Sequence, residues 1–219
     1  MVQKFSEAIQ IKPEDLTKAG YSLYEKLEHD ELIPFVKKSL HKWSLISIFF
    51  YGVNLGLFVL VVVYAWNAIS KHDIAIGDLI FYYSFGFTVC LILIPIHESI
   101  HVMAYKWLGA KETSLDYNLK KFYFMALANN FVANRKEFTM VALMPFTLIS
   151  CFLILLLLFV DHYWQLTILS TWLLHSAMCS GDFGIVNFFH IHKSKHMVTY
   201  DDTLNKVSFF FIKKTRTNE

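Results

Sequence analysis

Two histidines four residues apart flank a glutamate in His97-Glu98-Ser99-Ile100-His101. On a helix, positions i and i+4 share a face, so both imidazoles can reach one ion. Two such histidines suit a tetrahedral Zn²⁺, with a third protein ligand and one open position completing a catalytic site. Glu98 stands beside them, placed to take a proton from an attacking water. The chemistry these residues suggest is metal-assisted hydrolysis.

The third ligand is expected at Asp182, in Ser180-Gly181-Asp182-Phe183-Gly184, the one acid inside the last apolar run. Depth supports the choice. His97 lies eleven residues before Leu108 and Asp182 eight before His190, about 16 and 12 Å from one membrane edge at 1.5 Å per residue. Gly181 and Gly184 permit close helix approach. His175 and Cys179, seven and three residues before Asp182, are the rivals. Supporting or packing roles suit them better than ligation. His190, His192 and His196, among Lys193 and Lys195, read as a solvated patch at the membrane edge. Pro95 and Pro145 fall near the depth of the motif, where helix kinks would open a cavity.

Such residues need elements to hold them, and the composition says which. Of 219 residues, 55% are hydrophobic and 17% charged, with net charge +2 and mean hydropathy +0.42. A disordered chain and an ordinary soluble globule are both excluded. The charge gives no case for nucleic acid. Cys90, Cys151 and Cys179 sit in apolar runs, which argues against a disulfide scaffold. No signal peptide is expected at the start.

Four apolar segments, at about 44–69, 79–108, 138–160 and 163–190, have the length of membrane spans. Lys and Arg concentrate in 1–43, in 105–137 and after His190, and are sparse in 71–78 and 161–162. The positive-inside rule then places both termini in the cytosol. Residues 122–127 read as a strand, turning at Asn129-Asn130 and returning through 131–133. Val207–Ile212 reads as a second strand. The expected fold is an all-α membrane protein of four transmembrane helices, with a small cytosolic β-hairpin and a C-terminal strand. Residues 1–43 form a cytosolic helical segment, 44–190 the membrane domain and 191–219 a cytosolic tail.

An H-E-x-x-H in one span, with a Gly-Asp two spans later, resembles intramembrane metalloproteases of the site-2 protease type. More closely, the chain resembles a small bacterial membrane family of zincin peptidases, first described as a domain of unknown function. The likeness rests on His97–His101 with a helix to Gly109, and on Ala142-Leu143-Met144-Pro145 after a hairpin-like segment. Ser180-Gly181-Asp182, and Asp201-Asp202 before the final strand, complete it. Where site-2 proteases typically carry Leu-Asp-Gly with Asn-Pro nearby, this chain has Gly-Asp-Phe-Gly and no such Asn-Pro. The resemblance implies His97, His101 and Asp182 as zinc ligands and Glu98 as acid/base. It also implies a membrane-embedded or membrane-proximal peptide substrate, cleaved near the cytosolic side of a bacterial inner membrane. The strand at 122–127 would receive that substrate by strand addition. The contrasting expectation is a non-catalytic relative that holds zinc and binds a membrane partner.

Overall fold

The computed structural model describes residues 12–72, 74–120 and 123–214. The first eleven residues of the N-terminal segment, and Phe122 of the expected hairpin, lie outside them. A short 3₁₀ turn at Pro13–Asp15 precedes strand β1 (Tyr21–Glu28) and helix α1 (Leu32–Leu40). Helices α2 (Leu45–His72) and α3 (Ile76–Trp107) follow. Strands β2 (Thr113–Asn118), β3 (Tyr123–Ala128) and β4 (Ala133–Asn134) lead to α4 (Arg135–Leu156). Helices α5 (His162–Met178) and α6 (Ser180–Ile191), then strands β5 (Val198–Asp202) and β6 (Val207–Lys213), complete the chain.

Among the described residues three helices, α2, α3 and α4, are long and apolar enough to cross a membrane, with mean hydropathies of 2.4, 2.1 and 2.3. Leu55, Phe58 and Val62 of α2, and Phe81, Phe87 and Ile92 of α3, face outward. So many exposed large apolar side chains on long helices suit lipid, not water. This is a membrane protein.

The expectation of four spans is corrected. The segment 163–190 is two helices of 17 and 12 residues that meet at Cys179, each short of the ~20 residues a span needs. The apolar run had another cause. Leu166, Ile168 and Leu169 of α5 are buried within the protein. Thr167, Ser170 and Thr171 donate hydroxyl hydrogen bonds to the carbonyls of Tyr82, Tyr83 and Gly86 on α3. A Cβ at Gly86 would lie 1.9 Å from Ser170 Oγ, so glycine is what lets these helices approach so closely.

The all-α expectation is corrected too. Among the described residues six strands form two sheets, one of order β1-β6-β5-β4 and one of β2 with β3. The segment read as helical before the first span contains β1, paired antiparallel with β6 from Tyr21↔Lys213 to Glu28↔Val207. Segments near both ends of the chain therefore share one side of the molecule. The final strand is present as β6. The expected hairpin of 122–127 with 131–133 does not form: β3 pairs backward with β2, Thr113↔Ala128 through Asn118↔Tyr123. The turn at Asn129-Asn130 is real, with Asn130 at φ 53°. Beyond it the chain joins the other sheet, Ala133 opposite Thr199.

Local signals set the helix starts. Asn134 Oδ1 accepts from the Lys136 and Glu137 amides at 2.8 and 3.2 Å, and Glu137 Oε2 accepts from the Asn134 amide at 2.8 Å. This capping box satisfies amides at the start of α4. Asp161 caps α5 through the Tyr163 and Trp164 amides. Beneath the four-stranded sheet, α1 lies on α6 in a core that includes Val36, Phe183, Phe189 and Phe210.

Candidate metal centre

His97, Glu98 and His101 occupy one stretch of α3 and are buried, at 4%, 7% and 6% exposure. Asp182 projects from the first turn of α6. Its Oδ2 lies 3.3 Å from His97 Nε2 and its Oδ1 3.2 Å from His101 Nε2. The two Nε2 atoms are 3.0 Å apart. A tetrahedral zinc with bonds of about 2.0–2.1 Å needs ligand atoms about 3.3–3.4 Å apart. The three donors already stand near that spacing.

The outer nitrogens explain the aim of the rings. His101 Nδ1 lies 3.0 Å from the Val141 carbonyl of α4. A carbonyl only accepts, so Nδ1 carries the proton and Nε2 presents its lone pair to the centre. His97 Nδ1 contacts His175 Nε2 at 3.1 Å. His175 is fully buried, on the side of His97 away from Asp182. Cys179 Sγ is 3.9 Å from His175 Nε2. Two groups with metal-ligand spacing therefore share His97: His97, His101 and Asp182, and His97, His175 and Cys179. The first has all three of its members on the cavity wall, which His175 and Cys179 do not reach, and includes both histidines of the motif. The donor set of two imidazoles and a carboxylate fits zinc.

Glu98 receives the backbone amide of Ala126 on its carboxylate, while its Oε2 is buried without a partner. It faces a cavity of about 440 Å³ bounded by α1, α3, α4, α5, α6 and strands β3, β5 and β6. Much of the wall is apolar, including Leu91, Ile94, Leu174 and Met178, with the polar groups gathered around the centre and at Asp201. From α4 come Val141 and Ala142, and neither Pro95 nor Pro145 lines the space. Helix α3 runs through Pro95 without a break, and Ser99 Oγ donates back to the Pro95 carbonyl at 2.6 Å.

The patch at the end of α6 is separate from this centre. His192 Nε2 meets the Tyr24 hydroxyl at 3.0 Å, and Lys195 Nζ stands 4.1 Å from the centroid of the Tyr24 ring. Three contributors to the cavity were given no place in the site by the sequence: Tyr105 on α3, Asp201 on β5, noted there only as part of an acidic step before the final strand, and Ser208 on β6. Tyr105 could have been found by spacing, since it follows His101 by four residues. Asp201 and Ser208 could not, because the pairing of β5 with β6 and their lie against β3 are long-range.

Residues 90–200, half of the chain and all of the centre, match the family described as "Putative zincin peptidase". The chain belongs to this family. No curated protein and no solved structure matches it. In this zincin-family chain, the part outside the match still reaches the site. Leu32, Ile33 and Val36 of α1 line the cavity, and Val36 packs against Gly184, two residues beyond Asp182.

Proposed function

We propose that the protein is a zinc-dependent membrane metallopeptidase of the site-2 protease type. It hydrolyses peptide bonds in membrane-embedded or membrane-proximal segments. The observation that carries this reading is the convergence of His97 Nε2, His101 Nε2 and Asp182 beside Glu98, in an apolar cavity within a membrane protein.

Zinc held by His97, His101 and Asp182 would supply a Lewis acid and lower the pKa of water at the open position. The rest belongs to the chain itself. His101 is oriented by the Val141 carbonyl and His97 by His175. Glu98 takes a proton from the attacking water and returns it to the leaving nitrogen. The Ala126 amide holds its carboxylate beside the centre. Apolar walls limit water around the reacting groups. A substrate helix hides its carbonyls in its own hydrogen bonds, so it must unwind to react. Strand β3 offers an extended wall along which such a segment can lie. Membrane orientation follows from charge: the side carrying β1, the β2–β3 pair and β5–β6, where Lys and Arg concentrate, lies in the cytosol, and α5 and α6, each too short to cross alone, together lead the chain from the end of α4 back to it.

The test uses zinc-loaded, detergent-solubilised protein and a randomised library of fluorogenic decapeptides. Wild type should cleave. Glu98→Gln should retain its zinc and lose about 10²–10⁴-fold in rate, the usual worth of a general base. A folded, zinc-bearing wild type that cleaves nothing would favour the non-catalytic zinc-holding module instead.

A further inference from the structure

Three carboxylates line the cavity, Glu98, Asp182 and Asp201, and no Lys or Arg is among its described lining residues. Asp182 and Glu98 have roles in the hydrolysis. Asp201 has none. Ser208 Oγ donates to Asp201 Oδ1 at 2.6 Å, and the Ala128 amide also donates to this carboxylate. An ionised carboxylate offers about four acceptor sites, so two neutral donors leave it unfilled. Burial pushes its carboxyl up, against the hydrogen bond from Ser208 and the nearby imidazole of His29. Nearby, Glu98 Oε2 is buried and unpartnered. The cavity thus holds two carboxylates whose bonding is incomplete.

The strand fixes how far apart they act. The Asn129 amide bonds the Glu112 carbonyl, which sets the phase of the β2–β3 ladder. Alternation then turns the main-chain groups of Ala126 and Ala128 away from β2. The Ala126 amide goes to Glu98 and the Ala128 amide to Asp201. Two residues along a strand cover about 6.6–6.8 Å. An extended peptide lying along β3 therefore passes Glu98 and, about two residues away, Asp201.

We propose that Asp201 is the subsite for a cationic side chain of the substrate, a Lys or Arg about two residues from the cleaved bond. The apolar walls take the hydrophobic part of the same segment. That pairing describes a membrane span where it gives way to its basic cytosolic flank. The inference rests on the peptidase reading.

The experiment measures binding and cleavage separately. Fluorescein-labelled Leu/Ala decapeptides carry one Lys, norleucine or Glu at each position in turn. Binding to zinc-loaded Glu98→Gln protein is followed by anisotropy, and cleavage by wild type. At one position Lys should bind about 10-fold tighter than norleucine, a ratio typical of a charge-assisted bond. Adding Asp201→Asn should abolish that ratio with zinc content unchanged, and Asp201→Lys should shift the preference to Glu. Cleavage without any Lys preference, or a preference that survives Asp201→Asn, would overturn the subsite and leave the peptidase reading standing. If Asp201→Asn does not fold, the Lys-to-norleucine ratio in the Asp201 protein still decides, and a ratio near one overturns the subsite. Peptides neither bound nor cut would overturn both.

Discussion

At the residue scale, the contact at His97 Nδ1 sets the aim of the other ring nitrogen. A ligating imidazole is usually fixed by a hydrogen bond on its far side, and losing that partner typically costs 10–100-fold in metal affinity. His175 supplies it here, at 3.1 Å and fully buried. His175→Phe should fill most of the space and weaken zinc by about that factor, read by competition with a chelating dye. Unchanged affinity would remove His175 from the positioning of His97. The motif histidines and Glu98 were legible because one helix turn brings them together. Asp182 was legible because an acid in an apolar run demands a reason. Asp201 was not, since a strand acid is ordinary until the chain is folded around it.

Elements carry the next predictions. Helix α1 lies outside the family match, yet it is tied to α6. Ser39 Oγ donates to the Gly184 carbonyl at 2.7 Å, and Asn187 Nδ2 donates to the Ser39 and Lys42 carbonyls. A Cβ at Gly184 would meet Val36 at 2.8–3.1 Å. Gly184→Ala should then destabilise by about 1–3 kcal/mol, the usual cost of overpacking. Thermal melts should show a lower Tm, with much of the loss recovered when Val36→Ala is added. Full stability of the single variant would mean that α1 is not held this closely. The hairpin is secured differently. Asp116 on β2 meets His29 Nδ1 at 3.0 Å and Lys206 Nζ at 2.7 Å. Burial alone would raise this carboxyl, but hydrogen bonds from Lys206 and His29 outweigh it and hold the pKa below the ordinary value. A lowered folded pKa gives stability that is present above the unfolded value of about 3.9 and is lost as pH falls through the folded one. Protection from hydrogen exchange at β2 and β3, taken relative to the intrinsic rate at each pH, should therefore fall on acidification below about pH 4. In Asp116→Asn, protection should already be lowered at neutral pH and respond less to acid. Identical profiles would remove this contact from the anchoring of the hairpin.

For the whole molecule, hydropathy located α2, α3 and α4 because their outward faces meet lipid. The same signal misread 163–190, where apolar residues serve burial in the bundle and the helix breaks at Cys179. The four-stranded sheet was hidden for another reason. Strand β1 is completed by β6, which begins 179 residues after the end of β1, and no local pattern announces such a partner. The turn at Asn129-Asn130 was legible, but not the strand to which it delivers the chain. Together these elements hold α3 and α6 so that two imidazoles and one carboxylate meet beside a glutamate. The most direct test is zinc per chain in purified protein, by elemental mass spectrometry, for wild type, Asp182→Ala and Cys179→Ala. About one zinc in wild type and in Cys179→Ala, with a sharp loss in Asp182→Ala, is the expected result. Zinc retained in Asp182→Ala and lost in Cys179→Ala would move the centre to His97, His175 and Cys179 and contradict the assignment.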